Sequence, residues 1–270
     1  MRKFLIIVFI ILLLTVVGCY VTYKSVVHVN LPNGAVLHVL PASGFKNAHA
    51  AVILCPGGGY GFLETWREGY MWFPFYYFRG YTVALLEYRL PNGRSEVPIT
   101  DGSEAVLLMR SRATEWGYDS DNVGVMGFSA GGHLASSLMV SDNDEIRPDF
   151  AILFYPIVSM KKELTHQVTH DHLLGKNVSE QMEEKYSNEL FVSAKTPPAY
   201  IVVCTDDKIV NPQNAITFYR AMQEKSCPVT FHEYPSGGHG WGYRLTFAHH
   251  KQMVDDLSEW LNNRPSKESK

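Results

Sequence analysis

Neither sign of charge is in excess in this chain. Its 24 Lys and Arg stand against 27 Asp and Glu, a formal net charge of −3 over 270 residues, and no long basic run occurs. That excludes the clustered cationic footprint on which nucleic-acid binding rests. Cysteine is scarce, four in all, and no pair has the Cys-x-x-Cys or Cys/His spacing of a metal site. No internal repeat, low-complexity tract or long Pro/Gly/Ser linker divides the sequence, so modular and solenoid architectures fall away. What is present is ordinary for a globular chain, with 46% hydrophobic and 19% charged residues, and a generous 13% aromatic.

One hydrophobic run stands apart. Met1-Arg-Lys is a short cationic start, Phe4 to Val17 is apolar, and Gly18-Cys19 follows. The run is on the short side of the roughly 20 residues a membrane span needs, and its flanks fit a secretory signal. Val16-Val-Gly-Cys19 resembles a bacterial lipobox. The expectation is a signal peptide over 1–18, lipid attachment at Cys19, a tether over 19–24, and export to the cell envelope (periplasm or cell surface), where the lipid binds the membrane. An uncleaved signal anchor is the alternative. Cys55, Cys204 and Cys227 then remain. The first two end apolar strand-like runs, so buried free thiols are expected, with a disulfide left open.

Past the tether, Ser25 to Asn30 and Ala35 to Leu40 alternate in polarity across Pro32-Asn-Gly34, which reads as a β-hairpin. Short continuous apolar runs follow at 51–55, 81–86, 123–126, 150–155 and 200–204. They alternate with helix-like segments at 101–117, 129–140, 212–225 and 246–261. Unbroken apolar strands separated by helices predict an α/β fold: a mostly parallel sheet, helices on both faces, and an antiparallel N-terminal hairpin. One domain over 25–270 is expected, with polar, cap-like sequence inserted around 159–198.

Within Val123 to Ala135, Gly127-Phe-Ser-Ala-Gly131 matches G-x-S-x-G between an apolar strand and a helix. A sharp strand-to-helix turn there would present Ser129 as a nucleophile, and small neighbours let the turn fit. The plainer reading is a helix-capping serine. Acyl transfer also requires a base and an acid. Downstream, Asp206-Asp207 ends a strand and His239 sits in Gly237-Gly-His-Gly240. The acid-then-histidine order fits, and Asp-x-x-Val before the next helix selects Asp207 over Asp206. Pro56-Gly-Gly-Gly-Tyr60 follows another strand, so the N–H groups of Gly58, Gly59 and Ala130 are candidates for an oxyanion hole. A phosphate loop would continue with Lys-Ser/Thr, which is absent here.

Tyr60, Trp66 and Trp241 flank these segments and either stack on a sugar ring or pack the core. His166, His170 and His172 suggest zinc at i, i+4 spacing or, more simply, a polar lid. Without a third partner of known geometry, no metal and no cofactor are expected. His133 is read as packing beneath the serine turn.

The chain resembles the α/β-hydrolase superfamily, and within it the acetylxylan-esterase-like carbohydrate esterases. The resemblance is carried in order by Pro56 to Tyr60, Glu68-Gly69, Glu87-Tyr-Arg-Leu-Pro91, Asp101 and Gly124 to Ala135. It continues in Tyr186-Ser-Asn-Glu-Leu190, Thr196-Pro-Pro198, Asp206-Asp-Lys208 and Gly237-Gly-His-Gly240. It implies hydrolysis of small acyl esters, often acetyl groups on plant polysaccharide, with Ser129 as nucleophile, Asp207 as acid, His239 as base and Gly58 and Gly59 as oxyanion donors. Arg67, Asn211 and Trp241 depart from the usual pattern, and 70–78 is unusually aromatic. A hydrolase of other substrates (general carboxylesterase, formamidase or peptidase) and a non-catalytic binding protein on this scaffold are the alternatives.

Overall fold

The structure, a computed structural model, describes residues 25–42 and 50–264. The expected signal peptide, tether and Cys19 lie outside these residues.

Among the described residues, eight strands form one sheet: β1 (Val27–Asn30), β2 (Val36–Leu40), β3 (Ala50–Cys55), β4 (Tyr81–Glu87), β5 (Val123–Phe128), β6 (Phe150–Phe154), β7 (Ala199–Cys204) and β8 (Val229–Tyr234). Their order is β1-β2-β4-β3-β5-β6-β7-β8. The hairpin pairs β2 antiparallel with β1 and with β4, and every other pairing is parallel. Residues of β3, β5, β6 and β7 are buried throughout, as unbroken apolar strands covered on both faces must be.

Side chains alternate between two cores, as the two-residue strand period requires. Ala51, Ile53 and Cys55 join one cluster, beneath α2 (Glu96–Ser111), α4 (Ala130–Met139) and α7 (Gln213–Glu224). Ala50, Val52 and Leu54 join the other, beneath α1 (Phe73–Tyr77) and α8 (His250–Asn263). The aromatic stretch 70–78 belongs to this second core: Trp72 packs against Phe128 and Phe154 at ring-centroid distances of 5.9 and 5.3 Å.

Two helix limits differ from the sequence reading. The helix expected from Asp101 begins at Glu96, because Pro98 falls in the first turn, where its missing N–H costs no hydrogen bond. It stops at Ser111, and a separate short helix α3 (Ala113–Trp116) ends on Gly117 at φ 77°. Asp101, fully buried, accepts the Arg89 backbone N–H at 2.7 Å and pairs with its guanidinium at 2.7 Å, which locks α2 to the end of β4. The last helix begins at His250 rather than Thr246, since Phe247 stacks on Trp241 at 4.3 Å and holds the approach as a turn.

Residues 159–198 contain α5 (Gln167–Leu173), α6 (Glu180–Lys185) and a 3₁₀ turn over Asn188–Phe191. His170 is wholly buried between Asp171 and Glu183, at 3.0 and 3.2 Å, and so ties α5 to α6. Cys55, Cys204 and Cys227 are free and buried. Burial pushes the Cys55 thiol up to about 12.

Candidate active site

Ser129 stands where β5 turns into α4, with φ 51° and ψ −117°. A non-glycine residue at positive φ is strained and persists only when its surroundings hold it there. Here its N–H donates to the Phe154 carbonyl at 3.1 Å, and its own carbonyl accepts the N–H groups of Gly132 and Ile157 at 2.9 and 3.0 Å. The flanking glycines are steric necessities. A Cβ on Gly127 would lie 2.3 Å from the Gly131 carbonyl oxygen, and one on Gly131 only 2.0 Å from that of Cys55.

His239 follows β8 in a loop whose neighbours Gly237, Gly238 and Gly240 all take positive φ, a backbone that side-chain-bearing residues adopt at a cost. Its Nε2 lies 2.8 Å from Ser129 Oγ, and its Nδ1 lies 2.6 Å from Asp207 Oδ2. A carboxylate can only accept, so Nδ1 carries the proton and Nε2 is free to accept that of the serine. Asp207 is held from behind, its Oδ1 accepting the N–H groups of Ile209 and Val210 at 2.9 and 3.0 Å. Asp206 turns elsewhere, accepting the N–H groups of Gly238 and Gly237 at 2.8 and 3.2 Å. Those two donors hold its exposed carboxyl below the usual carboxylate range. Asp206 thus shapes the histidine loop.

The loop after β3 approaches Ser129 from the adjacent strand. Gly58 and Gly59 take φ 120° and 61°, and the Gly58 carbonyl accepts from Gly61 and Phe62 at 3.0 and 3.2 Å, closing a tight turn. Among the described residues, the N–H groups of Gly58 and Gly59 donate to no protein acceptor, nor does that of Ala130 at the first turn of α4. Gly57, which the sequence reading passed over, is what allows the close approach. A Cβ there would sit 2.9 Å from Ser129 Cβ and 2.8 Å from Glu68 Oε2.

The three aromatic candidates separate. Tyr60 and Trp241 are each only 1% exposed, so neither offers a ring face to a ligand; of the two readings, core packing holds for both, and their candidacy as substrate-binding residues falls. Tyr60 instead donates its hydroxyl to His133 Nδ1 at 3.0 Å, while His133 Nε2 donates to the Tyr186 carbonyl at 2.8 Å. This column props the loop from below. Burial pushes His133 down to about 4, so the ring is neutral. Trp66 is 65% exposed.

The sequence reading also missed the contribution of α5. His172 Nδ1 donates to the Gly59 carbonyl at 2.8 Å, which orients that peptide. His166 Nδ1 lies 2.9 Å from Thr169 Oγ1; burial, and then the charge of His239, push its pKa down. The three histidines therefore serve three separate structural contacts. Glu68 and Tyr155 form a further pair, with the Tyr155 hydroxyl donating to Glu68 Oε1 at 2.8 Å. A tyrosine ending a strand at the carboxyl edge of a parallel sheet was the available sequence signal.

A hydroxyl aligned with an imidazole and a carboxylate, beside unengaged N–H groups, is the equipment for acyl transfer through an oxyanion.

The model of a family described by the α/β-hydrolase fold matches residues 79–242. An acetylxylan esterase of Xylanibacter ruminicola is 36% identical over 220 residues, covering 80% of this chain and 46% of that protein. An endo-1,4-beta-xylanase B of Butyrivibrio fibrisolvens is 32% identical over 204 residues, covering 70% and 32%. The chain thus spans less than half the length of either relative. Among solved structures, an acetyl ester-xyloside bifunctional hydrolase from Caldicellulosiruptor lactoaceticus superposes with a TM-score of 0.77 at 28% identity, covering 84% of this chain and 88% of that one.

Proposed function

This chain belongs to the α/β-hydrolase family, and on that premise we propose that it is a serine esterase removing small acyl groups, acetyl foremost, from plant polysaccharide or oligosaccharide such as acetylated xylan. The observation that carries the proposal is the unbroken line Asp207–His239–Ser129, with contacts of 2.6 and 2.8 Å, beside the unengaged N–H groups of Gly58, Gly59 and Ala130.

In this reading His239 takes the Ser129 proton as Oγ attacks the ester carbonyl, and Asp207 stabilises the imidazolium. The carbonyl oxygen becomes an oxyanion that accepts the free N–H groups, each worth about 3 kcal/mol of barrier. The C–O bond of the leaving alcohol then breaks, and His239 returns the proton to that alcohol. Water then attacks the acyl carbon as His239 takes one of its protons, the bond from that carbon to Ser129 Oγ breaks, His239 hands the proton to Oγ, and acetate leaves.

Carbohydrate as the alcohol is supported by the similarity to xylan-associated relatives and by Phe62 and Trp66, 60% and 65% exposed just beyond the oxyanion loop. Aromatic faces at a site mouth suit the apolar faces of sugar rings. The test is acetate release from acetylated xylo-oligosaccharides, compared with turnover of aryl esters, formamides and aminoacyl amides. Preference for the first class, abolished in Ser129→Ala, is expected; equal or better turnover of an amide would overturn the substrate assignment.

The residues before the fold support a location as well. A cationic start, an apolar run and Val16-Val-Gly-Cys19 suit export and lipid attachment at Cys19, holding the enzyme at a bacterial envelope membrane. Metabolic labelling with an alkynyl fatty acid should mark the wild type and not Cys19→Ala. Equal labelling of both would remove the anchor from the proposal.

A further inference from the structure

Glu68 is a charged residue without a part in the acyl-transfer steps described above. It is only 3% exposed, and a buried carboxylate is costly unless its oxygens are hydrogen-bonded. Both oxygens are. Oε2 accepts the Gly57 N–H at 2.7 Å, and Oε1 accepts the Tyr155 hydroxyl at 2.8 Å. The Tyr155 oxygen in turn accepts the Gly242 N–H at 2.9 Å, so the tyrosine proton is committed to Glu68. Two donors on two oxygens suit the ionised form. Burial pushes the Glu68 pKa up, and the bonds from Tyr155 and Gly57 hold it back.

These four groups make a chain across the site. Gly57 opens the loop that carries Gly58 and Gly59, while Gly242 closes the loop that carries His239. Tyr155 sits at φ 38°, a strained conformation for an aromatic residue, with its ring edge-on to the His239 imidazole at 4.7 Å between centroids. The carboxylate itself passes behind the serine, since a Cβ on Gly57 would lie 2.8 Å from Glu68 Oε2 and 2.9 Å from Ser129 Cβ. The adjacent Arg67 is paired with Glu64 at 2.6 Å, so Glu68 has no ion-pair partner on its own segment.

We propose that Glu68 is a positioning residue for acyl transfer: it fixes the oxyanion loop against the histidine loop through Gly57 and Tyr155, and its buried negative charge supports the imidazolium that His239 becomes. The inference rests on the reading of Ser129 as the nucleophile. Other titratable or charged groups around His239 are Asp207 and Asp206 after β7, Tyr155 after β6 and His166 from the inserted segment; Arg67 faces Glu68 and Tyr155, and His172 faces His166.

The experiment follows the rate at which a fluorophosphonate probe labels Ser129 in the full-length chain across pH, alongside kcat and KM on a short acyl ester. Glu68→Gln keeps the volume but removes the charge and one acceptor. It is expected to slow labelling and kcat about tenfold to a hundredfold with KM little changed. The acid limb of the labelling profile should move to lower pH, because the imidazolium has lost a nearby anion. Tyr155→Phe is expected to slow labelling about tenfold, and the double variant should lose little beyond Glu68→Gln, as links of one chain do. A wild-type rate in Glu68→Gln overturns the proposal, and so does a slower rate with a lowered Tm and an unmoved acid limb, which marks a purely structural residue. Should Glu68→Gln fail to fold, Tyr155→Phe decides, and an unchanged labelling rate there is fatal. Failure of the wild type to label at Ser129 would instead sink the serine-esterase reading itself.

Discussion

Asp207 and Asp206 are adjacent in sequence and divide their work in space. The first lies 2.6 Å from His239 Nδ1, while the second accepts the N–H groups of Gly237 and Gly238 in the same histidine's loop. Asp207→Asn is therefore expected to lower kcat/KM by about ten-thousandfold, since an amide cannot hold the productive imidazole tautomer. Asp206→Asn keeps one acceptor oxygen for the loop and should cost about tenfold or less. Steady-state kinetics on a short acyl ester check both, and equal losses would refute the division.

Trp66 and Trp241 should respond in opposite ways to truncation. Trp66 is 65% exposed, so Trp66→Ala is expected to leave stability within about 0.5 kcal/mol while raising KM for oligosaccharide esters. Trp241 is 1% exposed and stacked on Phe247 at 4.3 Å, so Trp241→Ala should cost about 3–5 kcal/mol. Urea unfolding and KM for a short and a long ester separate the two.

His133 makes folding pH-dependent. In the unfolded chain an imidazole gains its proton near pH 6.5, whereas burial lowers the folded value to about 4. Between these values the unfolded state holds the extra proton. The stabilisation is therefore full above about pH 6.5 and falls as the pH drops toward 4, by about 3 kcal/mol in total. Unfolding measured from pH 7 to 4.5 should show a shallower acid loss in His133→Gln than in the wild type. Parallel curves would contradict this.

Gly131 leaves no room for a methyl group. Its Cβ would sit 2.0 Å from the Cys55 carbonyl oxygen and 2.5 Å from that of Pro56, both backbone atoms that a flexible side chain cannot yield for. Gly131→Ala is expected to cost at least about 2 kcal/mol and to displace the oxyanion loop. A thermal scan together with probe labelling at Ser129 checks both effects.

Much of the architecture was legible in the chain. Strands buried on both faces must be almost wholly apolar, so β3, β5, β6 and β7 announced themselves within a residue or two, as did the buried middle of β4. The antiparallel hairpin was visible through alternation around Pro32-Asn-Gly34. The start of α2 was hidden because Pro98 reads as a breaker, although the first turn of a helix tolerates it. The aromatic run 70–78 showed only as composition, and its burial against Phe128 and Phe154 depended on which sheet face α1 covers. Glu68 could be quoted as part of a motif, but its hydrogen-bonding partners, Gly57 and Tyr155, lie 11 and 87 residues away.

The amino-acid sequence by itself determined the strand pattern, the glycine-framed turn at Ser129 and the chain order of serine, aspartate and histidine, because each depends on neighbours within a few residues. The tertiary structure alone decided which of three aromatic residues reaches solvent, and which buried carboxylate joins two loops. Those outcomes are contacts between distant segments, set by strand order and by the direction each loop leaves the sheet, and local sequence carries neither.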